Sequence, residues 1–373
     1  MRSRIVATAA ALTLLTAATP AHAGQTDPAT LQRAADEIIA RGGGSTVLQV
    51  LNGNRRTTVT SGIGNLQTGE PIPAGSLFRV GSISKPFIAV TVLQLVGEGR
   101  IDLDASIDRY LTGLGLPYSS EVTVRGLLDM NARVADFVPA YWALHQDDLA
   151  WLKTHRFRSW STQELVDLAK TLPRPAGYAY SNTNYVILGM LIEKVTGRPY
   201  QREVDERIAK PLGLRDTYFP YEEVAIRGPH ARQYAISPQD PGTHHDISDQ
   251  NTTYLGAAGA LVSTPADLIT FNRALLKGKL LGKRLLRQMM TFTTVADDPT
   301  KSMGLGYMSW TLPPCGKTIY GFGGRVLGTY SALFGTGDGK DEQLALSLAS
   351  HDSNATAPQN ARVRELVYET FCD

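Results

Sequence analysis

The chain has 373 residues, of which 43% are hydrophobic and 19% are charged. This is ordinary globular composition, and the length is sufficient for one large domain or two subdomains. The formal net charge is +2. A balance so close to neutral argues against a strongly basic surface, so we expect neither nucleic acid nor anionic lipid as a partner.

The first 23 residues have the layout of a secretory signal peptide. Arg2 and Arg4 precede an apolar run over residues 5–18, and the small-residue segment Ala21-His22-Ala23 follows. This order predicts an exported, secreted protein that is cleaved after Ala23. A membrane anchor is less favoured, because the apolar run is too short to span a bilayer. Cleavage removes both arginines, so 37 basic residues become 35 and equal the 35 acidic residues.

The next segments predict a helix and a hairpin. Residues 28–41 carry apolar side chains at helical spacing and stop at three consecutive glycines. Residues 47–51 and 56–60 are typical of two strands joined at Asn52-Gly53, which is a strong hairpin signal. A third strand over residues 77–80 leads to the segment that carries the candidate chemistry.

The rest of the chain predicts a helical middle followed by a return to strands. A capping box formed by Ser161 and Glu164 begins one predicted helix, and Thr264-Pro265 begins another. Between them, residues 182–195 are predicted to be helical, with Gly197 as the stop. We then predict four strands and a final helix, over residues 306–312, 317–322, 327–334, 343–350 and 358–371. The segment 136–160 is rich in Trp, Tyr and His and is interpreted as an irregular rim, whose aromatic rings either line a cleft or simply pack.

Strands at both ends around a helical middle indicate the fold class. We expect an α/β (α+β) fold with one antiparallel sheet built from both termini, flanking helices and an all-helical subdomain. Residues 24–373 would form one domain, with the α/β part at about 24–98 and 300–373 and the helical part at about 99–299. The crevice between the two parts is the expected site.

A buried helix that opens with a hydroxyl residue is the first candidate for chemistry. Residues 88–96 are apolar nearly all round, Ser82 lies where this helix begins, and Lys85 follows one turn later on the same face. Burial lowers the pKa of an ammonium group, so Lys85 can exchange a proton with Ser82 beside the N–H groups of the helix start. Because Ser-x-x-Lys is a weak pattern, an N-cap serine and a solvent-exposed lysine are the alternative.

Two further motifs fall on suitable elements. Tyr180-Ser181-Asn182 precedes a predicted helix, and Tyr320 to Gly328 joins two late strands. Together with Ser82 to Lys85 they resemble the Ser-x-x-Lys, Tyr-x-Asn and Lys/His-x-Gly motifs of the serine β-lactamase and penicillin-binding protein superfamily. The chain is similar to exported actinobacterial D-alanyl-D-alanine carboxypeptidases and class C-like β-lactamases over nearly its whole mature length. Further similar stretches are residues 66–69, 78–82, 179–185, 211–214 and 257–264.

The resemblance implies a role for each of these residues. Ser82 would form an acyl-enzyme, Lys85 and Tyr180 would pass the proton, and Asn182 would bind the lysine and the substrate amide. The backbone N–H groups of Ser82 and Arg325 would form the oxyanion hole. Tyr180 titrates near pH 10 when unperturbed, so it would act as a base only if Lys85 favours its phenolate. The substrate would be a peptide or a β-lactam-like small molecule, with no cofactor or metal, and we expect a monomer.

The sequence departs from the family pattern in two places. Phe322 replaces the His or Lys of the third motif, and Gly323 replaces a residue that often carries a hydroxyl; Gly324 follows. These losses weaken the case for a carboxylate-ended substrate, and Arg325 is hypothesised to supply the missing charge. The second departure is at residues 127–133, where relatives carry Leu-Leu-x-His-Thr-Ser-Gly. It indicates altered specificity or reduced activity.

Other types of site are less well supported. No Gly-x-Ser-x-Gly elbow surrounds Ser82, and His244-His245-Asp246 is interpreted as a solvent-facing loop rather than a metal site. Three functions remain: a D-alanyl-D-alanine carboxypeptidase or transpeptidase, a serine esterase or β-lactamase, and a non-catalytic binding protein. The intact Ser82, Lys85 and Tyr180 favour an enzyme, and the first function is preferred.

Cys315 and Cys372 are the two cysteines of the chain. In an exported protein a pair of cysteines is expected to form a disulfide. This bond would close a long loop and stabilise the fold by roughly 3–4 kcal/mol. Two buried free thiols are the alternative.

Overall fold

The structure is a computed structural model that describes residues 27–144, 153–237, 240–295, 298–337, 341–349 and 357–372. The predicted signal peptide lies outside the described residues, as does part of the aromatic segment 136–160. Among the described helices, none has the length and apolarity needed to cross a membrane.

A nine-stranded antiparallel sheet forms the centre of the fold. Its strands lie in the order β3-β2-β1-β13-β12-β11-β10-β9-β8. Their bounds are β1 Ser45–Asn52, β2 Arg55–Asn65, β3 Glu70–Pro71, β8 Thr293–Val295, β9 Asp298–Met303, β10 Met308–Thr311, β11 Thr318–Val326, β12 Thr329–Thr336 and β13 Glu342–Ala349. Strand β1 pairs with β13 from Ser45↔Ala349 to Asn52↔Glu342. The predicted sheet built from both termini is confirmed.

The first hairpin turns one residue later than predicted. Asn52 pairs with Arg55, so the two-residue turn is Gly53-Asn54 rather than Asn52-Gly53. Gly53 has φ +59°, a left-handed conformation that glycine adopts without strain.

Helices cover both faces of the sheet. Helices α1 (Pro28–Ala40) and α12 (Pro358–Cys372) pack on one face, over apolar side chains of β1, β12 and β13. Helix α2 (Ser84–Gly97) packs on the other face and is buried on nearly every side, as predicted. Further helices are α3 Val124–Leu128, α4 Phe137–Ala143, α5 Thr162–Lys170, α6 Asn182–Thr196, α7 Tyr200–Val204, α8 Lys210–Leu212, α9 Gly256–Gly259, α10 Pro265–Leu276 and α11 Lys283–Met289, with a π-helical turn at Asp205–Ala209.

The middle of the chain contains strands that the sequence did not predict. The edge strands β8 and β9 begin the return to the sheet at Thr293 rather than near residue 300. Two small sheets lie outside the main one. In the first, β4 (Phe78–Arg79), which falls within the strand predicted at residues 77–80, pairs with the unpredicted β7 (Val262–Ser263); in the second, β5 (Tyr234–Ser237) pairs with β6 (Asp240–Asp246). These strands are short, and those of the edge hairpin are largely polar and not fully buried, so the apolar alternation that identifies strands is absent.

The predicted disulfide is present. Cys315 and Cys372 are bonded with a Cα–Cα distance of 5.7 Å. The bond joins the turn between β10 and β11 to the last turn of α12. It therefore anchors the C-terminal helix to the sheet.

Candidate active site

The backbone around Ser82 is fixed by two glycines. Ser82 lies in a 3₁₀ turn, Gly81–Ile83, that continues directly into α2. A Cβ on Gly81 would lie 2.6 Å from the backbone nitrogen of Arg325, and a Cβ on Gly324 would lie 1.9 Å from the carbonyl oxygen of Val80. Real Cβ atoms do not tolerate such distances, so both glycines are needed for β11 to pass beside the turn. The backbones that would form the predicted oxyanion hole thus lie next to each other.

Lys85 is completely buried and contacts Ser82 directly. Its Nζ donates hydrogen bonds to Ser82 Oγ at 2.9 Å, Asn182 Oδ1 at 2.8 Å and the carbonyl oxygen of Ala258 at 2.8 Å. Burial lowers the pKa of Lys85 from 10.5 to about 7, and the charge of Asp136 opposes this shift only in part. A large fraction of the lysine is therefore a neutral amine at neutral pH, able to accept a proton.

Tyr180 approaches the same oxygen from the cavity side. Its hydroxyl donates a hydrogen bond to Ser82 Oγ at 2.7 Å. Removal of water from this hydroxyl raises the pKa of Tyr180 well above its usual value, and the hydrogen bond to Ser82 lowers it by less. A phenolate at Tyr180 is thus disfavoured, and Lys85 is the better proton acceptor. The pKa of Tyr180 is thus shifted in the direction opposite to the one that its predicted role as a base requires.

Asp136 is a site residue that the sequence analysis missed. Its carboxylate accepts hydrogen bonds from Asn182 Nδ2 at 3.0 Å and from the backbone N–H of Asn182 at 3.2 Å. It also caps α4 by accepting a bond from the N–H of Val138. Its position before an apolar helix was a usable N-cap signal, but the contact with Asn182 spans 46 residues and depends on the tertiary fold.

Ser82 lines a cavity of about 950 Å³ that also reaches residues of α12 on the other face of the sheet. Its wall near the nucleophile is aromatic, formed by Tyr141, Trp142, Tyr178, Tyr180 and Tyr254. The rings of Tyr141 and Tyr254 are stacked with centroids 4.8 Å apart. Aromatic residues of the predicted rim segment therefore both pack together and line the cleft.

The third motif lies beside Ser82, but its side chains do not supply the charge that the sequence interpretation assigned to them. Phe322 is 2% exposed and packs in the core, while Gly323 and Gly324 line the cavity. Arg325 pairs with Tyr330, and its guanidinium lies 5.6 Å from the centre of that ring.

The Arg325 side chain lies on the opposite face of the sheet from Ser82. Ser331, the neighbour of Tyr330, donates a hydrogen bond to the carbonyl oxygen of Val80 on the Ser82 side. Side chains alternate between faces along a strand, so Tyr330 and its partner Arg325 point toward α12. This position does not support the hypothesis that the Arg325 guanidinium binds a substrate carboxylate at the nucleophile.

The unusual loop at residues 127–133 supports the Tyr180 motif without entering the chemistry. Met130 and Arg133 have positive φ angles of 68° and 57°. The N–H of Ala179 donates to the carbonyl oxygen of Met130 at 3.3 Å, and Arg133 donates to Pro175. The loop thus holds the segment that delivers Tyr180.

The histidine segment is a strand rather than a loop. His244 pairs with Ile236 in the small β5–β6 sheet. His244 is exposed as predicted, whereas His245 and Asp246 are half-buried. Across the described ranges of the chain, no group of three or more His, Cys, Asp or Glu side chains is arranged to hold a metal ion.

Comparison with known proteins identifies the family. The Beta-lactamase family matches residues 31–369 of the chain. The chain belongs to the beta-lactamase family. Among solved structures, a D-stereospecific amidohydrolase from Streptomyces sp. is 34% identical, with a TM-score of 0.82 over 93% of this chain and 99% of that one.

Curated members of the family are more distant in sequence. Penicillin-binding protein 4* of Bacillus subtilis is 24% identical over 75% of this chain and 62% of its own length. The D-alanyl-D-alanine-carboxypeptidase/endopeptidase AmpH of Escherichia coli K12 is 25% identical over 81% of this chain and 78% of its own length. The chain spans between 42% and 62% of the length of the first four such relatives.

The family comparison confirms two predictions made from the motifs. It confirms the serine β-lactamase and penicillin-binding protein superfamily, and it places the chain among serine-type hydrolases of this fold. The roles assigned to Ser82, Lys85, Tyr180 and Asn182 stay predictions, and the structure brings these four side chains into one hydrogen-bonded group.

Proposed function

We propose that the protein is a serine amidohydrolase that cleaves the amide bond after a D-configured residue through an acyl-enzyme on Ser82. The observation that carries this proposal is the hydrogen-bonded group of Ser82, Lys85 and Tyr180 at the base of a large aromatic cavity. Similarity to a D-stereospecific amidohydrolase over nearly the whole of both chains supports the stereochemical preference.

In the proposed reaction each catalytic group acts once during acylation and once, in reverse, during deacylation. The neutral amine of Lys85 takes the proton of Ser82 while Oγ bonds to the substrate carbonyl carbon, and the resulting oxyanion accepts bonds from the N–H groups of Ser82 and Arg325. The Tyr180 hydroxyl then gives its proton to the leaving nitrogen as the C–N bond breaks, and the Lys85 ammonium restores the proton of Tyr180. Water attacks the acyl-enzyme by the same steps in reverse.

The positions of the cationic side chains that line the cavity favour an uncharged leaving group. Among the described residues that line the cavity, the cations are Lys301, Arg325 and Arg364. Lys301 lies over Trp310, Arg325 lies over Tyr330, and Arg364 belongs to α12, so all three are on the outer side of the sheet. Among the described residues, a carboxylate on the leaving group would therefore find no cation beside Ser82 other than Lys85, which the proposed reaction uses as the base, whereas a simple amide or ester needs none.

The proposal is tested by comparing D- and L-phenylalanine amides with purified protein and a Ser82→Ala control. We expect release of ammonia from the D-amide, much slower release from the L-amide and none in the control. Intact-mass measurement after exposure to a penicillin reports the acyl-enzyme directly. Equal rates on the two enantiomers, or turnover that survives in the control, would contradict the proposal.

The second candidate is a D-alanyl-D-alanine carboxypeptidase acting on peptidoglycan peptides. The resemblance of the motifs and the similarity to AmpH favour it. A peptide ending in D-Ala-D-Ala is compared with the same peptide carrying a C-terminal amide. A strong preference for the free carboxylate would replace the first candidate by the second. Rapid penicillin hydrolysis would favour a β-lactamase, turnover of esters alone would favour an esterase, and no turnover at all would favour a non-catalytic binding protein.

We also propose that the protein is exported and cleaved after Ala23. The signal-type layout of residues 1–23 and the disulfide between Cys315 and Cys372 support this. Expression of the full chain in a secreting host, followed by N-terminal sequencing of protein from the medium, tests it. Recovery of an uncleaved chain from the cytoplasm alone would overturn it.

A further inference from the structure

The side-chain amide of Asn182 is held in one orientation by Lys85 and Asp136. Its Oδ1 accepts a hydrogen bond from Lys85 Nζ at 2.8 Å, and its Nδ2 donates to Asp136 Oδ2 at 3.0 Å. An amide has an acceptor at one end and donors at the other. If Asn182 were turned over, its NH₂ group would face the Lys85 donor and its oxygen would face the carboxylate, so both bonds would be lost.

The carboxylate of Asp136 is itself fixed by backbone groups of two different helices. Its Oδ1 accepts from the N–H of Val138, at the start of α4, and from the N–H of Asn182, at the start of α6. Both donors belong to rigid elements, so the carboxylate does not rely on a flexible partner. Its position relative to Asn182 is set by the packing of these two helices.

We infer that Asp136 is a positioning residue for the acyl-transfer reaction: it fixes the amide of Asn182 so that the amide oxygen faces Lys85 and directs the amine toward Ser82. This inference rests on the proposed function, and it assigns Asp136 no contact with the substrate. Without the carboxylate, Asn182 would populate both amide orientations, and Lys85 would spend less time in hydrogen-bond contact with Ser82.

The charge of Asp136 adds a second, measurable effect. The groups that face Lys85 are Ser82, the carbonyl of Ala258, the Tyr180 and Tyr185 rings at 5.0 and 5.4 Å, and, beyond Asn182, Asp136. Asp129 acts on the Tyr185 hydroxyl. Among these groups Asp136 is the carboxylate that raises the pKa of Lys85. Removing its charge is therefore expected to lower the pKa of Lys85 below about 7.

Asp136→Asn is the test variant. Asparagine is as good an N-cap as aspartate, so α4 keeps its cap. The oxygen that accepts the shorter bond from Asn182 Nδ2, at 3.0 Å, becomes an NH₂ group that cannot accept, and only the longer bond to Oδ1, at 3.3 Å, is retained. We expect kcat to fall by about ten-fold or more, with little change in KM. The acid limb of the kcat/KM profile is expected to move to lower pH. Asp27→Asn makes the same change at the N-cap of α1 and is expected to leave kcat and the pH profile unchanged.

A double mutant shows whether Asp136 acts through Asn182. In an Asn182→Ala background the loss in kcat caused by Asp136→Asn is expected to vanish, because coupled residues are not additive. A full additive loss, or an unchanged kcat and pH profile in the single variant, would overturn the inference. An ester without an amino group, such as p-nitrophenyl acetate, is expected to show the same loss. A loss confined to substrates with a free amino group would show direct substrate contact and would also overturn it.

The role of Asp136 can be tested even if the proposed function is wrong. If the wild type hydrolyses neither amides nor esters, the proposed function fails, and Asp136 is then tested without turnover. Nuclear magnetic resonance of isotope-labelled lysine reports the titration of Lys85 in the folded protein. A lower pKa for Lys85 in Asp136→Asn supports the coupling, and an unchanged pKa contradicts it. Thermal unfolding of each variant verifies that it is folded.

Discussion

The amine of Lys85 titrates close to neutral pH because burial removes water from its charged form. It accepts the proton of Ser82 only when it is neutral, so activity is expected to rise with pH through about 7. A kcat/KM profile from about pH 5 to about pH 9 measures this limb. Lys85→Arg provides the control, since a guanidinium stays charged throughout and is expected to be inactive. A profile that is flat across neutral pH would exclude Lys85 as the base.

Tyr180 is expected to act as an acid toward the leaving group. Tyr180→Phe keeps the ring and removes the hydroxyl that bonds to Ser82. We expect kcat on amides to fall by roughly 10²–10⁴, because an amide nitrogen must be protonated before it leaves. The loss is expected to be much smaller for p-nitrophenyl esters, whose leaving group needs no proton. Equal losses on both substrates would instead assign Tyr180 to activation of Ser82.

The turn before α2 and strand β11 form one structural unit, because the backbone of each occupies the space that a Cβ atom on the other would need. Gly81→Ala places a Cβ 2.6 Å from the Arg325 backbone at a residue with φ +56°. Gly53→Ala is a matched control, because Gly53 has φ +59° and nothing within 4 Å of the added atom.

Both glycine variants are expected to lose stability through the left-handed backbone, by about 1 kcal/mol in the control. Gly81→Ala alone is expected to lose most of its activity, because β11 must move away from Ser82. Thermal unfolding and kcat, measured on the same samples, separate the two effects. Normal kcat in Gly81→Ala would show that the approach of β11 is not needed for catalysis.

Local sequence patterns predicted many of the helices and strands, whereas several contacts between residues distant in the sequence were missed. Ser161 forms the predicted capping box with Glu164, and Gly197 ends α6 in the left-handed conformation. The edge strands β8 and β9 lack an apolar face, so no period distinguishes them. The contact of Asp136 with Asn182 and the outward direction of Arg325 depend on how separate elements pack, which a single sequence does not encode locally. The raised pKa of Tyr180 likewise follows from loss of water around its hydroxyl, although its ring is partly exposed, and the motif alone does not reveal this.

The disulfide acts on the stability of the whole molecule rather than on the chemistry. It closes a loop of 57 residues between the β10–β11 turn and α12. Replacing both cysteines by serine is expected to lower the free energy of unfolding by about 4 kcal/mol. Denaturant unfolding measures this loss, and kcat well below the melting temperature is expected to be unchanged. A variant as stable as the wild type would show that the bond adds no constraint to the unfolded chain.

The pairing of β1 with β13 has a consequence for the order of events during synthesis. The first strand made lies between β2 and the last strand made. A growing chain holds β1 and β2 for nearly the whole of its synthesis without the partner that completes their sheet. Distant pairings of this kind fold slowly. The finished sheet therefore forms only after β13 has emerged, when nearly the whole chain has been made.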